Sequence, residues 1–367
     1  MNKDFKNLKK YFNENGLRFN LNEERIWNYI EEVFGRKRAE KLSNIFDDQY
    51  YNLNDEKVDV KYKFCNNFEE ATTLMYFQSD WFLKNSQIIL EDLLKVQPKT
   101  ILELGCYTGI FCDYISKILK KSEVTGIDIE KNLIDFGKER FQNDNLNLIE
   151  VEYKNLSKIN KKFEYIFTNF GLEDIPKSKF QTYKFRENND YKSKFDYFSD
   201  FFSFLNTVSN NDTDFFCIAR IPTLETILSM VDGAQIQGWN WITDDLEYIN
   251  LNSENIPKLR FKKQPSKKMS LESFAEKTLK LKDNNQLKEI LNYEIEIKDM
   301  ILIGKDSYRY SDTNDELFYE IYKKGNLIKL FAWTTLGYTK YKSFEKKENL
   351  INFFQEEHGL IINPNIQ

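Results

Sequence analysis

The run Ile101–Phe111, ILELGCYTGIF, constrains the fold more than any other part of the chain. Thr100–Leu104 is a short apolar stretch rich in β-branched and aliphatic residues, so it reads as a buried strand. Gly105 and Gly109 follow as a turn. Ile110, Phe111, Tyr114, Ile115, Ile118 and Leu119 then recur at helical spacing. A strand that passes through glycines into a helix is the opening of a βα unit. Its turn gathers backbone N–H groups and the carboxylate of Glu103 around one small volume.

The units that follow repeat this alternation. Glu123–Ile127 reads as a second strand ending at Asp128, with Leu133, Ile134, Gly137 and Phe141 behind it on a helix. Leu146–Val151 reads as a third strand and precedes Glu152-Tyr153. Phe163–Asp174 contains a fourth strand and its exit, and Phe215–Ile221 a fifth after a helix marked by Phe195, Phe198, Phe202, Leu205 and Val208. Strands alternating with helices imply a parallel sheet with helices on both faces. The expected fold class is therefore α/β, a Rossmann-like, mostly parallel sheet over residues 96–221. An N-terminal helical segment, 1–95, and a C-terminal α+β extension, 222–367, flank it.

The glycine spacing separates cofactor classes. A dinucleotide turn needs G-x-G-x-x-G to bring the backbone against a pyrophosphate. This chain has G-x-x-x-G with an acid two residues ahead of the first glycine, which disfavours a nicotinamide-dependent oxidoreductase. Glu103-Leu104-Gly105-Cys106-Tyr107-Thr108-Gly109 instead resembles the first motif of class I S-adenosylmethionine methyltransferases, [DE]-h-G-x-G-x-G. Tyr107 stands in place of the middle glycine. The segment FTNFGLEDIP, Phe167–Pro176, resembles that family's F-[ST]-N-x-x-L-E-H-I-P, with Asp174 where histidine is common.

The resemblance implies a Rossmann-like enzyme with S-adenosylmethionine as cofactor. It places Glu103, Gly105, Cys106, Tyr107 and Gly109 around the amino-acid tail. Asp128 falls at the ribose with Ile129 beside it as a further cofactor-binding residue, Glu152 and Tyr153 at the adenine edge, and Asn169 beyond the fourth strand. Asp174 is the candidate catalytic residue, facing the acceptor as a cation-orienting carboxylate or a proton acceptor. The alternative for Asp128 is a plain helix N-terminal acid, and for Asp174 a capping residue in its loop. The acceptor is expected to be an N or O atom of a small molecule, a sugar-like metabolite or a peptide. No Pro-Cys pair and no [DN]-P-P-[YF] after the fourth strand point to nucleobase or glutamine methylation. A methyltransferase-like scaffold without turnover is the competing function.

Composition narrows the partners. Over 367 residues the net charge is −5 and lysines are interspersed with acids, so a nucleic-acid footprint is not expected. The one basic run, Lys258–Lys268, reads as a solvated loop. Asp47–Lys57 also reads as a loop. No stretch has the length of a membrane span, and the charged N-terminus has no apolar region behind it, so no membrane partner and a cytoplasmic location are expected. Four cysteines without a C-x-x-C pair fit a reducing compartment, and a single histidine leaves no His-based metal cluster; no metal is expected. A homodimer is left open. Tyr76, Phe77 and Trp81 form either a cofactor lid or helix packing, and Trp239 and Trp241 either a pocket wall or buried core. Helices are expected over Thr223–Met230, Ser270–Leu291 and Asn349–Glu357. Leu317–Tyr322 and Leu327–Thr334 are expected to pair as a hairpin, and one C-terminal strand pair to finish the sheet.

Overall fold

The computed structural model describes residues 3–52, 60–171, 191–219, 224–242, 247–251, 254–264, 274, 300–310, 316–334 and 339–362. They divide into two compact units. The first holds the described residues within Met1–Ser178, Ser203–Ala219 and Arg260–Lys263, and the second those within Lys179–Phe202, Arg220–Leu259 and Gln264–Gln367.

The first unit begins with helices α1 (Lys3–Glu14), α2 (Glu23–Phe34), α3 (Arg36–Asn52), α4 (Val60–Lys63), α5 (Phe68–Leu74) and α6 (Ser79–Val96), with a 3₁₀ turn at Met75–Gln78. Ile26, Ile30 and Phe34 fall one turn apart and are buried together on α2. Asn22 caps that helix by accepting from the Arg25 N–H at 3.0 Å, and Asn67 caps α5 through the Glu70 N–H at 2.9 Å. The polar run Asp47–Lys57, expected as a loop, is helical as far as Asn52; its remainder lies outside the described residues. Charged side chains are cheap on the outer face of a helix, so polarity alone did not mark an end.

The parallel sheet follows: β1 (Thr100–Leu104), α7 (Ile110–Ile118), β2 (Glu123–Asp128), α8 (Lys131–Arg140), β3 (Leu146–Glu150), a 3₁₀ segment (Tyr153–Ile159), β4 (Phe163–Asn169), α9 (Tyr191–Asn206) and β5 (Ser209–Ile218). The strand order is β3-β2-β1-β4-β5. β1 pairs parallel with both β2 and β4, and Leu104 aligns with Ile127 on one side and Thr168 on the other. Successive residues Tyr165, Ile166 and Phe167 are all fully buried. Both faces of β4 are therefore covered, as a parallel sheet requires.

The N-terminal helices are part of this packing. Phe12 of α1 lies against Phe82 of α6 and Phe111 of α7. The Tyr11 hydroxyl donates to the fully buried Asp113 carboxylate on α7, which also receives Lys117 and Asn143. On the other side, the Arg38 guanidinium donates to both Glu70 oxygens at 2.6 and 2.8 Å. Burial would raise the Glu70 carboxyl, but Arg38 and the Asn66 N–H outweigh it and hold the group below the usual carboxylate range.

Lys258–Lys263 is the clearest correction. The basic run is part of strand β8 (Glu254–Lys263), following α10 (Leu224–Ile236), β6 (Trp239–Trp241) and β7 (Glu247–Leu251). Leu259 and Phe261 are fully buried, while Arg260 between them donates to Asp92 at 2.9 Å. The period-2 alternation was present but masked by cations on the other face. The Arg260–Lys263 end of β8 belongs to the first unit, beside β5, and β7 pairs antiparallel with β8.

In the second unit the expected hairpin forms as β10 (Glu316–Lys324) and β11 (Leu327–Thr334) around Gly325-Asn326. With β9 (Ile301–Arg309) and β12 (Thr339–Phe344) it makes a separate antiparallel sheet in the order β12-β11-β10-β9. Helix α11 (Lys347–His358) buries Leu350, Phe353 and Phe354 against Leu317, Ile321, Leu330 and Phe344. Of the helix expected at Ser270–Leu291, only Phe274 is described, buried against Trp241. Trp239 and Trp241 are both core residues.

Candidate functional site at the carboxyl edge of the sheet

The order β3-β2-β1-β4-β5 reverses direction between β1 and β4. Such a switch point leaves a crevice outside the carboxyl ends of the strands, because the loops on either side run to opposite faces. Nearly every candidate residue of the sequence lies at this edge.

The turn after β1 is built from alternating left-handed residues: Gly105 at φ 70°, Tyr107 at 58° and Gly109 at 76°. It closes through the Gly109 N–H on the Cys106 carbonyl at 2.8 Å. The turn is laced to the tip of β2. Cys106 N–H donates to the Ile127 carbonyl at 2.8 Å, and Tyr107 N–H to Asp128 Oδ2 at 2.9 Å. The Glu130 N–H holds the other oxygen, Oδ1, at 3.0 Å. Two backbone donors thus fix the Asp128 carboxylate. Ile129, the next residue, is 46% exposed.

Glu103 is placed differently from its neighbours. It is 1% exposed and accepts from the Cys112 thiol of α7 at 2.8 Å. Burial pushes its carboxyl up to about 8; the Cys112 hydrogen bond opposes this and the Asp128 charge adds to it. Cys106 shares the pocket, and burial raises its thiol to about 11. Gly126 on β2 is what makes room: a Cβ there would meet the Cys112 and Cys106 sulfurs at 2.7 and 2.8 Å.

The β4 side is tightly packed. A Cβ on Gly105 would meet the Gly171 Cα at 2.6 Å, and the Tyr153 hydroxyl donates to the Gly171 carbonyl at 3.2 Å. Tyr153 therefore reaches from beyond β3 to the point where β1 and β4 exit. Its neighbour Glu152 is half-exposed and pairs with Lys154 at 2.8 Å. Asn169, 5% exposed, turns toward α6: it accepts from Asn85 Nδ2 at 3.0 Å and donates to Ser86 Oγ at 3.2 Å. Asn85 and Ser86 gave no signal in the sequence, since they sit inside an apolar helical stripe 84 residues away. Thr108 Oγ1 and Thr168 Oγ1, both buried at this edge, have no hydrogen-bond partner among the described residues.

The structure thus brings Glu103, Gly105, Cys106, Tyr107, Gly109, Asp128, Ile129, Glu152, Tyr153 and Asn169 to one edge. Asp174 lies outside the described residues. Of the aromatic lid candidates, Tyr76 donates to the Gly16 carbonyl at 2.7 Å, Phe77 packs on Trp27 and Phe46, and buried Trp81 lies edge-on to Phe170 at the β4 exit. No group of metal-ligating side chains occurs among the described residues, and no described helix is long and apolar enough to cross a membrane.

Residues 101–187 match the model of a methyltransferase domain family. The 235L protein of Invertebrate iridescent virus 6, named for a methyltransferase role, is 30% identical over 115 residues, 29% of this chain and 42% of that protein. The demethylmenaquinone methyltransferase of Staphylococcus haemolyticus is 31% identical over 91 residues, 24% of this chain and 38% of that protein. The chain spans well under half of either relative's length. Among solved structures, the magnesium protoporphyrin IX methyltransferase of Synechocystis PCC 6803 with bound SAH has a TM-score of 0.37 and 11% identity, covering 51% of this chain and 88% of that one.

Proposed function

We propose that this chain, whose centre is a Rossmann-like methyltransferase domain of class I, is an S-adenosylmethionine-dependent methyltransferase acting on an N or O atom of a small molecule, a sugar-like metabolite or a peptide. The observation that carries the reading is Asp128. Its carboxylate is pre-oriented by two backbone amides at the tip of β2, with an exposed apolar residue beside it. That combination suits two ribose hydroxyls and the face of a purine. The orphan hydroxyls of Thr108 and Thr168 add polar atoms at the same edge.

S-adenosylmethionine supplies a methyl group already activated on a sulfonium. The chain's residues have to bind, orient and exclude water. Asp128 would hold the ribose, Ile129 cover the adenine, and Glu152 and Tyr153 bound its edge. The turn from Gly105 to Gly109 would carry the amino-acid tail, Glu103 would face its ammonium, and Asn169 would line the β4 side. Asp174 is proposed to orient the acceptor or take its proton. Residues 1–95 and 222–367 are proposed as the substrate side, since appended elements rather than the shared core carry specificity on such folds. Four buried, unlinked cysteines suit a reducing cytoplasm.

A binding module without turnover is the second reading, favoured by one contact: Gly171 lies directly on Gly105, closing the β4 half of the crevice. Calorimetry with S-adenosylhomocysteine tests the first reading. Asp128→Ala should weaken binding by about 1–3 kcal/mol through unpaired ribose hydroxyls, and unchanged affinity refutes the assignment. Binding without methyl transfer to any N or O acceptor in a cell extract favours the module.

A further inference from the structure

The turn after β1 and the first turn of α8 are tied to the same short stretch of the N-terminal helices. From the turn after β1, the Tyr107 hydroxyl donates to the Ala71 carbonyl at 2.7 Å. The Tyr107 ring meets Tyr62 edge-on, with centroids 5.2 Å apart and planes at 78°. From the first turn of α8, after β2, Asn132 Nδ2 donates to the carbonyls of Tyr62 at 2.9 Å and Cys65 at 3.3 Å. Neither element touches the other through these bonds. Both are held by Tyr62–Ala71.

That stretch is itself braced. Arg38 donates to the Phe64 carbonyl at 2.6 Å as well as to Glu70, and Glu70 accepts from the Asn66 N–H at 2.8 Å. The Arg38 guanidinium lies over the rings of Phe34 and Phe64 at 5.0 and 4.9 Å. Arg38 and Glu70 therefore link Phe64, Asn66 and Glu70 within the stretch.

Tyr107 has a conformation that a glycine would adopt without strain. At φ 58° a bulky residue costs roughly 1–2 kcal/mol, and such strain persists where the surroundings over-determine it. Here the constraints are the Ala71 and Tyr62 contacts on the side chain and Asp128 on the backbone. The residue that grips the helices is thus also the one whose N–H fixes the ribose-binding carboxylate.

We infer that Tyr107 is a positioning residue which couples nucleoside binding to docking of the N-terminal helices, with Tyr62–Ala71 acting as a clamp on the cofactor edge. The inference rests on the reading of that edge as an S-adenosylmethionine site. Linkage makes the coupling reciprocal: whatever docking contributes to ligand affinity, ligand returns to docking. A structural role alone would stiffen the stretch equally with and without ligand.

Hydrogen exchange on the full chain reads the difference. Amides of Phe64–Met75 are followed with and without S-adenosylhomocysteine in the wild type, Tyr107→Phe and Tyr107→Gly. Glycine keeps the turn and relieves its strain, so the fold should survive. In the wild type the ligand should slow exchange of this stretch on the order of ten-fold, within the usual range of site coupling. Tyr107→Phe keeps the ring and should retain part of that protection; Tyr107→Gly should abolish it and weaken ligand binding on the order of ten-fold. Ligand that binds the wild type without slowing these amides overturns the clamp alone. Equal ligand-induced protection in Tyr107→Gly does the same. A wild type that binds no S-adenosylhomocysteine overturns the cofactor reading and the clamp with it.

Discussion

Glu103→Gln isolates the most perturbed acid of the site. In the folded chain burial pushes this carboxyl up to about 8, against an ordinary value near 4.3 in the unfolded chain. Below about pH 4 both states are protonated and the group leaves stability unchanged. As pH rises, the unfolded state ionises first while the folded state keeps its proton. Stability is then lost at up to about 1.4 kcal/mol per pH unit, until the folded group itself ionises near pH 8. Full burial places the upper limit of the loss at about 5 kcal/mol. Glutamine keeps the shape and does not titrate. Chemical denaturation at pH 5, 6, 7 and 8 should therefore show the variant gaining on the wild type with each step. Subtracting the two curves cancels the other titrating groups. Parallel curves would refute the buried, protonated Glu103. The same variant tests its proposed role. A ligand ammonium beside Glu103 favours the carboxylate, so S-adenosylhomocysteine binding at pH 7 should release about one proton from the wild type. Titrations in buffers of different ionisation enthalpy should show that release vanish in Glu103→Gln.

Arg38→Ala should destabilise the chain by about 3 kcal/mol by leaving the buried Glu70 carboxylate unpaired. Glu70 has a lowered pKa, so the pair's contribution is present above the ordinary carboxylate range and the penalty should shrink in acid, as urea melts at pH 7 and 4 would show. Gly137→Ala puts a methyl group into the Thr108 carbonyl and within 2.8 Å of Leu148. Helix propensity favours alanine by about 1 kcal/mol, so a net loss of about 2 kcal/mol or more in a denaturant melt identifies the close approach of α8 to the turn as the cause. Asp174→Asn should lower methyl transfer strongly with S-adenosylhomocysteine affinity nearly intact, and wild-type turnover would return Asp174 to a capping role.

The parallel core was legible because its signals are local. A buried apolar run of five residues, a glycine turn and a helical stripe each fit within a short window, and strand tips at one edge follow from topology. Glu103, Asp128 and Asn169 could be assigned to that edge, but not their partners. Glu103 bonds to Cys112 because Gly126 on the next strand leaves room for two sulfurs, and Asn169 turns to Asn85 across 84 residues. Such pairings depend on how helices settle on a sheet, which periodicity does not encode. Strand β8 was lost for the opposite reason. Its alternation is local, but Lys258, Arg260 and Lys262 give a half-buried strand a solvated look, and only the fold supplies Asp92 and Asp214 as partners for Arg260.

The two halves of the crevice differ in a way that bears on both readings of function. On the β2 side, Asp128 is only partly buried and Ile129 stands in solvent. Under the proposed reading a nucleoside would engage there, with the carboxylate already oriented. On the β4 side, Gly171 rests on Gly105, Tyr153 bonds across the seam, and Thr168 and Asn169 are buried behind them. Anything reaching from the ribose past Gly105 has to part that contact. Neither glycine offers a side chain to interlock, and the 3.2 Å Tyr153 bond is a neutral one, of net worth about 1 kcal/mol. Under the proposed reading, opening the seam would exchange these contacts for charge and ribose contacts to the ligand. A seam that parts on loading would exclude water until then, as an in-line methyl transfer requires; a seam that stays closed would leave the binding module without turnover.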